Sequence, residues 1–209
     1  MRVLCLHGYS QTASEFAAHL RRVTALSPSV EFTFLDGPHE VPSLMRPGKK
    51  GRAWWLPRRN SDQQWEFDGV DAALETVSAA AAAGDVQAVL GFSQGAALAS
   101  LIAGLHADDA AASPVPELRL VACVGGFPFA PASPDYSYLF RTPLQLPSLH
   151  VTGANDEVVS PAKSNQLASL FAEPQRCQHA GGHLAHSGQG CASLEAYAKF
   201  FVAAPTSKL

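Results

Sequence analysis

Residues 86–95 read VQAVLGFSQG. The first five, Val86-Gln87-Ala88-Val89-Leu90, make an apolar run of strand length. Gln94 then opens a stretch to His106 rich in Ala and Leu, which reads as a helix. Ser93 sits between them with Gly91 two positions before it and Gly95 two positions after. Two readings compete. Gly and Ser favour turns, so the pentapeptide can be a plain turn. Alternatively Ser93 is a nucleophile held at the tip of a strained strand-to-helix bend, the context that a G-x-S-x-G string requires. In that case both flanking positions must be small, and the helix N-terminus adds partial positive charge beneath the reacting oxygen.

The flanking sequence extends the alternation. Arg2–Leu6, Val30–Leu35, Leu118–Val124, Ser148–Thr152 and Arg176–His179 read as further strands. Ala13–Leu26, Asp68–Ala83, Pro161–Phe171 and Gln189–Val202 read as helices. Thr12 or Ser14 is a possible cap for the first of these, and Asp68 for the second. Strands and helices that alternate in this way predict a mainly parallel six-stranded sheet with helices on both faces. Ligands bind outside the carboxyl ends of such strands, so function belongs in the loops beginning at His7, Asp36, Gly91, Gly125, Gly153 and Ala180.

Two stretches interrupt the rhythm. Residues 38–67 hold four prolines, the basic run Lys49-Lys50-Gly51-Arg52 and Trp54, Trp55 and Trp65. Residues 126–147 are rich in Pro and aromatics. Both are expected to be loops on the active-site side, since long connections in compact domains tend to be functional. Trp54, Trp55, Phe127 and Phe129, with Tyr136, Tyr138 and Phe140, are candidates to wall an acyl pocket, or else to cover the edge of the core. Lys49, Lys50, Arg52, Arg58 and Arg59 read either as solvated surface or as a contact for the phosphates of coenzyme A.

A serine hydroxyl needs a base to remove its proton. Where a nucleophile sits on such an elbow, an acid and then a histidine follow it in chain order. Asp156 follows the strand Ser148–Thr152 and is favoured over its neighbour Glu157. His183 follows the last strand behind Gly181-Gly182 and is favoured over His179, which ends that strand, and over His186. Charge developing on a substrate carbonyl calls for preorganised N–H donors. The backbone N–H of Gln94 is one candidate and that of Tyr9 the other, with Gly8 aiming it inward and His7 holding the loop by a hydrogen bond.

Bulk properties set the limits. A chain of 209 residues with 47% hydrophobic and 16% charged residues suits one domain. Net charge is −3, which does not favour nucleic acid as a partner. No apolar stretch reaches the roughly 18 residues of a membrane span, and the opening MRVLCLHG is too short for a signal peptide. Cys5, Cys123, Cys177 and Cys191 form no C-x-x-C pair, so free thiols are expected and a metal site is not. Residues 203–209 read as a tail. Its Ser207-Lys208-Leu209 is the address that the peroxisomal import receptor reads, so that receptor is an expected partner and the peroxisome an expected location.

Several of these stretches, in this order, resemble the small α/β-hydrolase serine hydrolases of the FSH type, found in fungi and animals. They are Leu4-Cys5-Leu6-His7-Gly8-Tyr9-Ser10-Gln11, Phe34-Leu35-Asp36-Gly37-Pro38-His39, Trp54-Trp55, Gly91-Phe92-Ser93-Gln94-Gly95 and Gly181-Gly182-His183. The resemblance runs from residue 2 to about residue 201. It implies a single α/β-hydrolase domain over residues 1–202 and hydrolysis of carboxylic esters or thioesters without metal or cofactor. It also implies an acyl-serine intermediate and a triad falling on Ser93, Asp156 and His183. Leu184-Ala185 departs from the family habit of a residue and then proline after the histidine. An acyl-CoA thioesterase, a transferase and a non-catalytic binder of acyl ligands stand as alternatives, since a fold alone does not prove a function.

Overall fold

The computed structural model describes residues 1–131, 134–186 and 192–202. In chain order the elements are β1 (Arg2–Leu6), α1 (Ala13–Ala25), β2 (Glu31–Leu35), β3 (His39–Pro42), β4 (Lys50–Ala53), β5 (Leu56–Arg59), β6 (Trp65–Asp68) and α2 (Val70–Ala82). They continue as β7 (Val86–Phe92), α3 (Gln94–Asp108), β8 (Leu120–Val124), a short 3-10 helix (Ser137–Phe140), β9 (Ser148–Gly153), α4 (Pro161–Ala168), β10 (Pro174–His179) and α5 (Ala192–Val202). Cys191 and the tail with Ser207, Lys208 and Leu209 lie outside the described residues.

Six strands form the expected sheet in the order β2-β1-β7-β8-β9-β10, and every neighbouring pair is parallel. Side chains alternate across it, as a pleated strand dictates. Leu4, Leu6, Val89, Val121 and Cys123 point to one face, where α2, α3 and α4 pack. Val3, Cys5, Ala88, Leu90 and Ala122 point to the other, beneath α1 and α5. Both faces are covered, so these strands read as apolar runs rather than as polar–apolar alternation. The chain steps outward from β1 to β2, then returns to place β7 on the other side of β1. That reversal opens a crevice between the loops after β1 and β7, where doubly wound sheets bind ligands.

Helix α1 begins with a reciprocal cap. The Thr12 hydroxyl accepts from the Glu15 N–H while the Glu15 carboxylate accepts from the Thr12 N–H. Helix α2 differs from expectation. Asp68 ends strand β6, and Gly69, in the left-handed region at φ 84°, occupies the cap position. The stretch 38–67 is not a structureless loop either. It folds into two antiparallel hairpins, β3–β4 and β5–β6. Cys5 and Cys123 are buried free thiols, and burial pushes the Cys123 thiol up to about 12.

His150 on β9 is buried against Phe171 and bonded to the Ser148 hydroxyl at 3.1 Å. Burial, reinforced by Arg176, pushes its proton affinity down to about 3. The unfolded chain takes up this proton below the ordinary value of roughly 6.5, well before the folded chain does. The stabilisation tied to neutral His150 is therefore complete above that ordinary value and drains away as pH falls toward about 3. Urea titrations between pH 7 and 4 should show stability falling with acidification. The slope for His150→Gln should be shallower by about 1.4 kcal/mol per pH unit.

Candidate active site

Strand β7 delivers Ser93 to the crevice in a conformation that L-residues seldom adopt, φ 53° and ψ −113°. The Ser93 N–H donates to the Val124 carbonyl at 2.8 Å, which ties the bend to the end of β8. The two glycines are needed for separate reasons. A Cβ on Gly91 would overlap the Gly95 carbonyl, and one on Gly95 would overlap the carbonyls of Leu6 and His7. Helix α3 thus starts with its backbone pressed against the end of β1. The plain-turn reading of the pentapeptide gives way to a strained elbow opening a fifteen-residue helix.

The acid and the histidine come from adjacent loops. His183 Nδ1 donates to Asp156 Oδ2 at 2.7 Å, which leaves Nε2 with its lone pair. The carboxylate is buried, and its Oδ1 accepts from the N–H groups of Val158 at 3.0 Å and Val159 at 2.8 Å. The two loops are laced together. Ala154 N–H donates to the His179 carbonyl at 2.7 Å, Asn155 N–H to the Gly181 carbonyl at 3.1 Å, and Asn155 Nδ2 to the Ala180 carbonyl at 2.7 Å. Gly153 allows this approach, since a Cβ there would overlap the Gly182 carbonyl. His179 ends β10 and braces the turn by donating from Nε2 to the Leu184 carbonyl at 3.1 Å. Glu157, the neighbour over which Asp156 is favoured, is exposed. Ser93 and His183 border one cavity of about 660 Å³ without a direct hydrogen bond between them. Such contacts commonly tighten only around a bound substrate.

The loop after β1 supplies the other side of the crevice. His7 is fully buried. Its Nδ1 donates to the Gly8 carbonyl at 2.7 Å, and its Nε2 accepts from the Gly37 N–H at 2.9 Å. Desolvation by burial lowers its proton affinity, in keeping with a neutral ring in that dual role. The backbone N–H groups of Tyr9 and Gln94 donate to no acceptor among the described residues.

The expected acyl-pocket wall is corrected. Trp54, Trp55 and Phe129 are buried in the core, Phe127 packs against it, and none of the four borders the cavity. Trp55 stacks on Phe67 at 5.0 Å between ring centroids and meets Phe129 edge-on at 5.1 Å. Trp54 Nε1 donates to the His7 carbonyl at 2.8 Å, so this indole holds the β1 loop rather than facing ligand. The basic run is also elsewhere. Lys50 pairs with Glu40, Arg58 with Glu66 and Asp68, and Arg59 lies over Trp65, all away from the cavity lining. The cavity is lined instead by Phe16 and further residues of α1, Phe92, the 183–186 turn, and Leu44 and Met45 at the tip of the β3–β4 hairpin. Sequence reasoning missed α1. The signal was its position, immediately after the β1 loop and beside the crevice.

Comparisons with known proteins bear on the family and the fold. A family model described as serine hydrolase (FSH1) matches residues 1–185. Esterase OVCA2 of Mus musculus is 33% identical, with 96% of this chain and 95% of the mouse protein covered. Esterase AGAP003155 of Anopheles gambiae is 32% identical over 88% of this chain and 71% of its own. Among solved structures, esterase PE8 superposes with a TM-score of 0.67 at 22% identity, covering 98% of this chain and 92% of that one. Zea mays acyl-protein thioesterase 2 gives a TM-score of 0.67 at 22% identity, covering 97% and 92%. The α/β-hydrolase fold expected from the sequence is therefore the fold observed.

Gln94 has a second role that its backbone hides. Its side chain is buried, with Oε1 accepting from the Trp54 N–H and Nε2 donating to the Trp55 carbonyl, each at 2.9 Å. Gln94→Ala keeps the backbone N–H but strands two buried backbone groups, at about 1–3 kcal/mol each. Chemical denaturation should show a loss of about 2–6 kcal/mol, and an unchanged midpoint would contradict the clamp.

Proposed function

Because the chain belongs to the serine hydrolase (FSH1) family, we propose that it cleaves carboxylic esters or thioesters through an acyl-serine intermediate built by Ser93, His183 and Asp156. The observation that carries this reading is the 2.7 Å contact from His183 to a buried Asp156 beside the elbow that presents Ser93 to the same cavity.

His183 Nε2 takes the Ser93 proton as Oγ bonds to the acyl carbon. The carbonyl electrons move onto oxygen, and the Tyr9 and Gln94 N–H groups receive the resulting oxyanion. Donors of this kind contribute roughly 3–4 kcal/mol in measured cases. The imidazolium then protonates the leaving alcohol or thiol as the tetrahedral adduct collapses. Water, deprotonated by the same ring, releases the acid and restores Ser93. Asp156 orients the ring and stabilises its cation, while the Val158 and Val159 N–H groups hold the carboxylate. The apolar floor formed by Phe16 and Phe92 suits an acyl chain.

A fluorophosphonate should label the protein at Ser93. Ser93→Ala should abolish that labelling and lower kcat by several orders of magnitude, about 10⁶ in a comparable triad. Asp156→Asn should cost about 10⁴ by favouring the wrong tautomer. Folded protein that escapes labelling would instead indicate a non-catalytic binder of acyl ligands.

A further inference from the structure

The cavity has an apolar end and a cationic end. Phe16 and Phe92 stack at 5.9 Å between centroids, and Phe92 lies 4.7 Å from the His183 ring, so an aromatic path leads from the reaction centre onto α1. Farther along the same helix, Arg21 and Arg22 border the cavity. Phe16, Leu20 and Val23 form the buried stripe that docks α1 on the sheet. Arg22 lies six residues beyond Phe16, about 9 Å along the axis at 1.5 Å per residue.

Neither guanidinium has an acidic partner among the described residues, whereas Arg2, Arg46 and Arg58 are paired. Among the described residues, no Asp or Glu borders the cavity. His186 closes the far side, its Nε2 donating to the His19 carbonyl at 3.2 Å. Burial lowers the proton affinity of His186, so the arginines supply the fixed charge of this end. Two guanidiniums at the rim of a cavity that no described carboxylate borders suit a planar anion bound by paired N–H donors.

We propose that Arg21 and Arg22 bind an anionic group of the substrate, a carboxylate or a phosphate, held several bonds from the scissile carbonyl. This rests on the hydrolase reading and narrows its substrate class to charged esters or thioesters. The anion has two possible sources, the far end of the acyl chain or the leaving group. It transfers the expectation of phosphate contact from the Lys49–Arg59 stretch to α1.

Matched substrates test it. Mono-p-nitrophenyl adipate is compared with p-nitrophenyl hexanoate, adding a carboxylate to the acyl end. Hexanoyl-coenzyme A is compared with hexanoyl-N-acetylcysteamine, adding phosphates to the leaving group. At low salt, kcat/KM should favour the anionic member of one pair by about tenfold, and the advantage should shrink with ionic strength. The anionic-to-neutral ratio should collapse toward one in the Arg21→Gln/Arg22→Gln protein and survive largely in Arg21→Lys/Arg22→Lys. Preference in the first pair places the charge on the acyl end, and preference in the second places it on the leaving group. A ratio near one in both pairs, or a preference that persists in the Gln variant, overturns the proposal. Calorimetric titration of Ser93→Ala protein, with and without the Gln substitutions, reads binding of the same compounds without turnover. Arginine-dependent binding with no hydrolysis by the parent protein would sink the hydrolase reading alone. Hydrolysis without charge preference would sink only the anion site.

Discussion

The strained backbone at Ser93 is the constraint around which the molecule is organised. A serine in this region costs on the order of 1–3 kcal/mol and persists only where its surroundings over-determine it. Here they do so from three sides. The Ser93 N–H is bound to the end of β8. The Gly95 backbone is pressed against the carbonyls of Leu6 and His7 at the end of β1. Helix α3 is buried almost throughout, so it cannot shift to relax the turn. Placing β7 between β1 and β8 therefore presents the hydroxyl and, by the same contacts, brings the Tyr9 loop to its side.

A second juxtaposition depends on the other half of the sheet. Asp156 and His183 are far apart in sequence but follow neighbouring strands, and parallel pairing of β9 with β10 sets their loops side by side. The laced backbone then removes most remaining freedom. Gly125, at φ 52°, completes the arrangement at the end of β8, because a Cβ there would sit 3.1 Å from His183 Cε1 and 3.5 Å from Asp156 Oδ2. The Asp156–His183 contact thus rests on backbone contacts and on missing side chains, which explains why the glycines of these loops carry as much of the arrangement as its titratable groups.

Features governed by local pattern were legible in the sequence. The six strands, the Ser93 elbow, and the loops holding Asp156 and His183 follow from hydrophobic periodicity and strand-end position, and appear within a few residues of expectation. What escaped depends on tertiary packing. Trp54 and Trp55 in a proline-rich stretch look like exposed pocket walls. Burial wins because the Trp54 indole N–H finds the His7 carbonyl, and the backbone of the pair finds the Gln94 amide. The Lys49–Arg59 charges look available, but the hairpins that hold them also bring Glu40, Glu66 and Asp68 alongside. Arg21 and Arg22 look like ordinary solvated helix residues. Only the placement of α1 against Phe92 turns their side toward the cavity.

These differences divide the site into two mechanical zones. The reacting side is buried and held by short hydrogen bonds from His7, Gln94, Asp156 and Asn155, so its N–H groups and imidazole need little reorganisation when charge develops. The side facing the rest of the substrate is exposed. Leu44 and Met45 are 74% and 77% accessible, on a hairpin fixed to its surroundings by Arg46–Glu15 at 2.7 Å and by the Leu44 N–H on Ser10 Oγ at 3.3 Å. The base of the same hairpin is fastened to the β1 loop by backbone bonds, Ser10 N–H to the Arg52 carbonyl at 2.8 Å and Arg52 N–H to the Gln11 carbonyl at 2.9 Å, so only its exposed tip is left to the cavity rim. A rim of that kind selects poorly among apolar groups, because a methylene more or less changes binding by only about 1–3 kcal/mol. Under the proposed anion contact, discrimination falls to charge, which α1 offers on this rim, among the described residues, at Arg21 and Arg22.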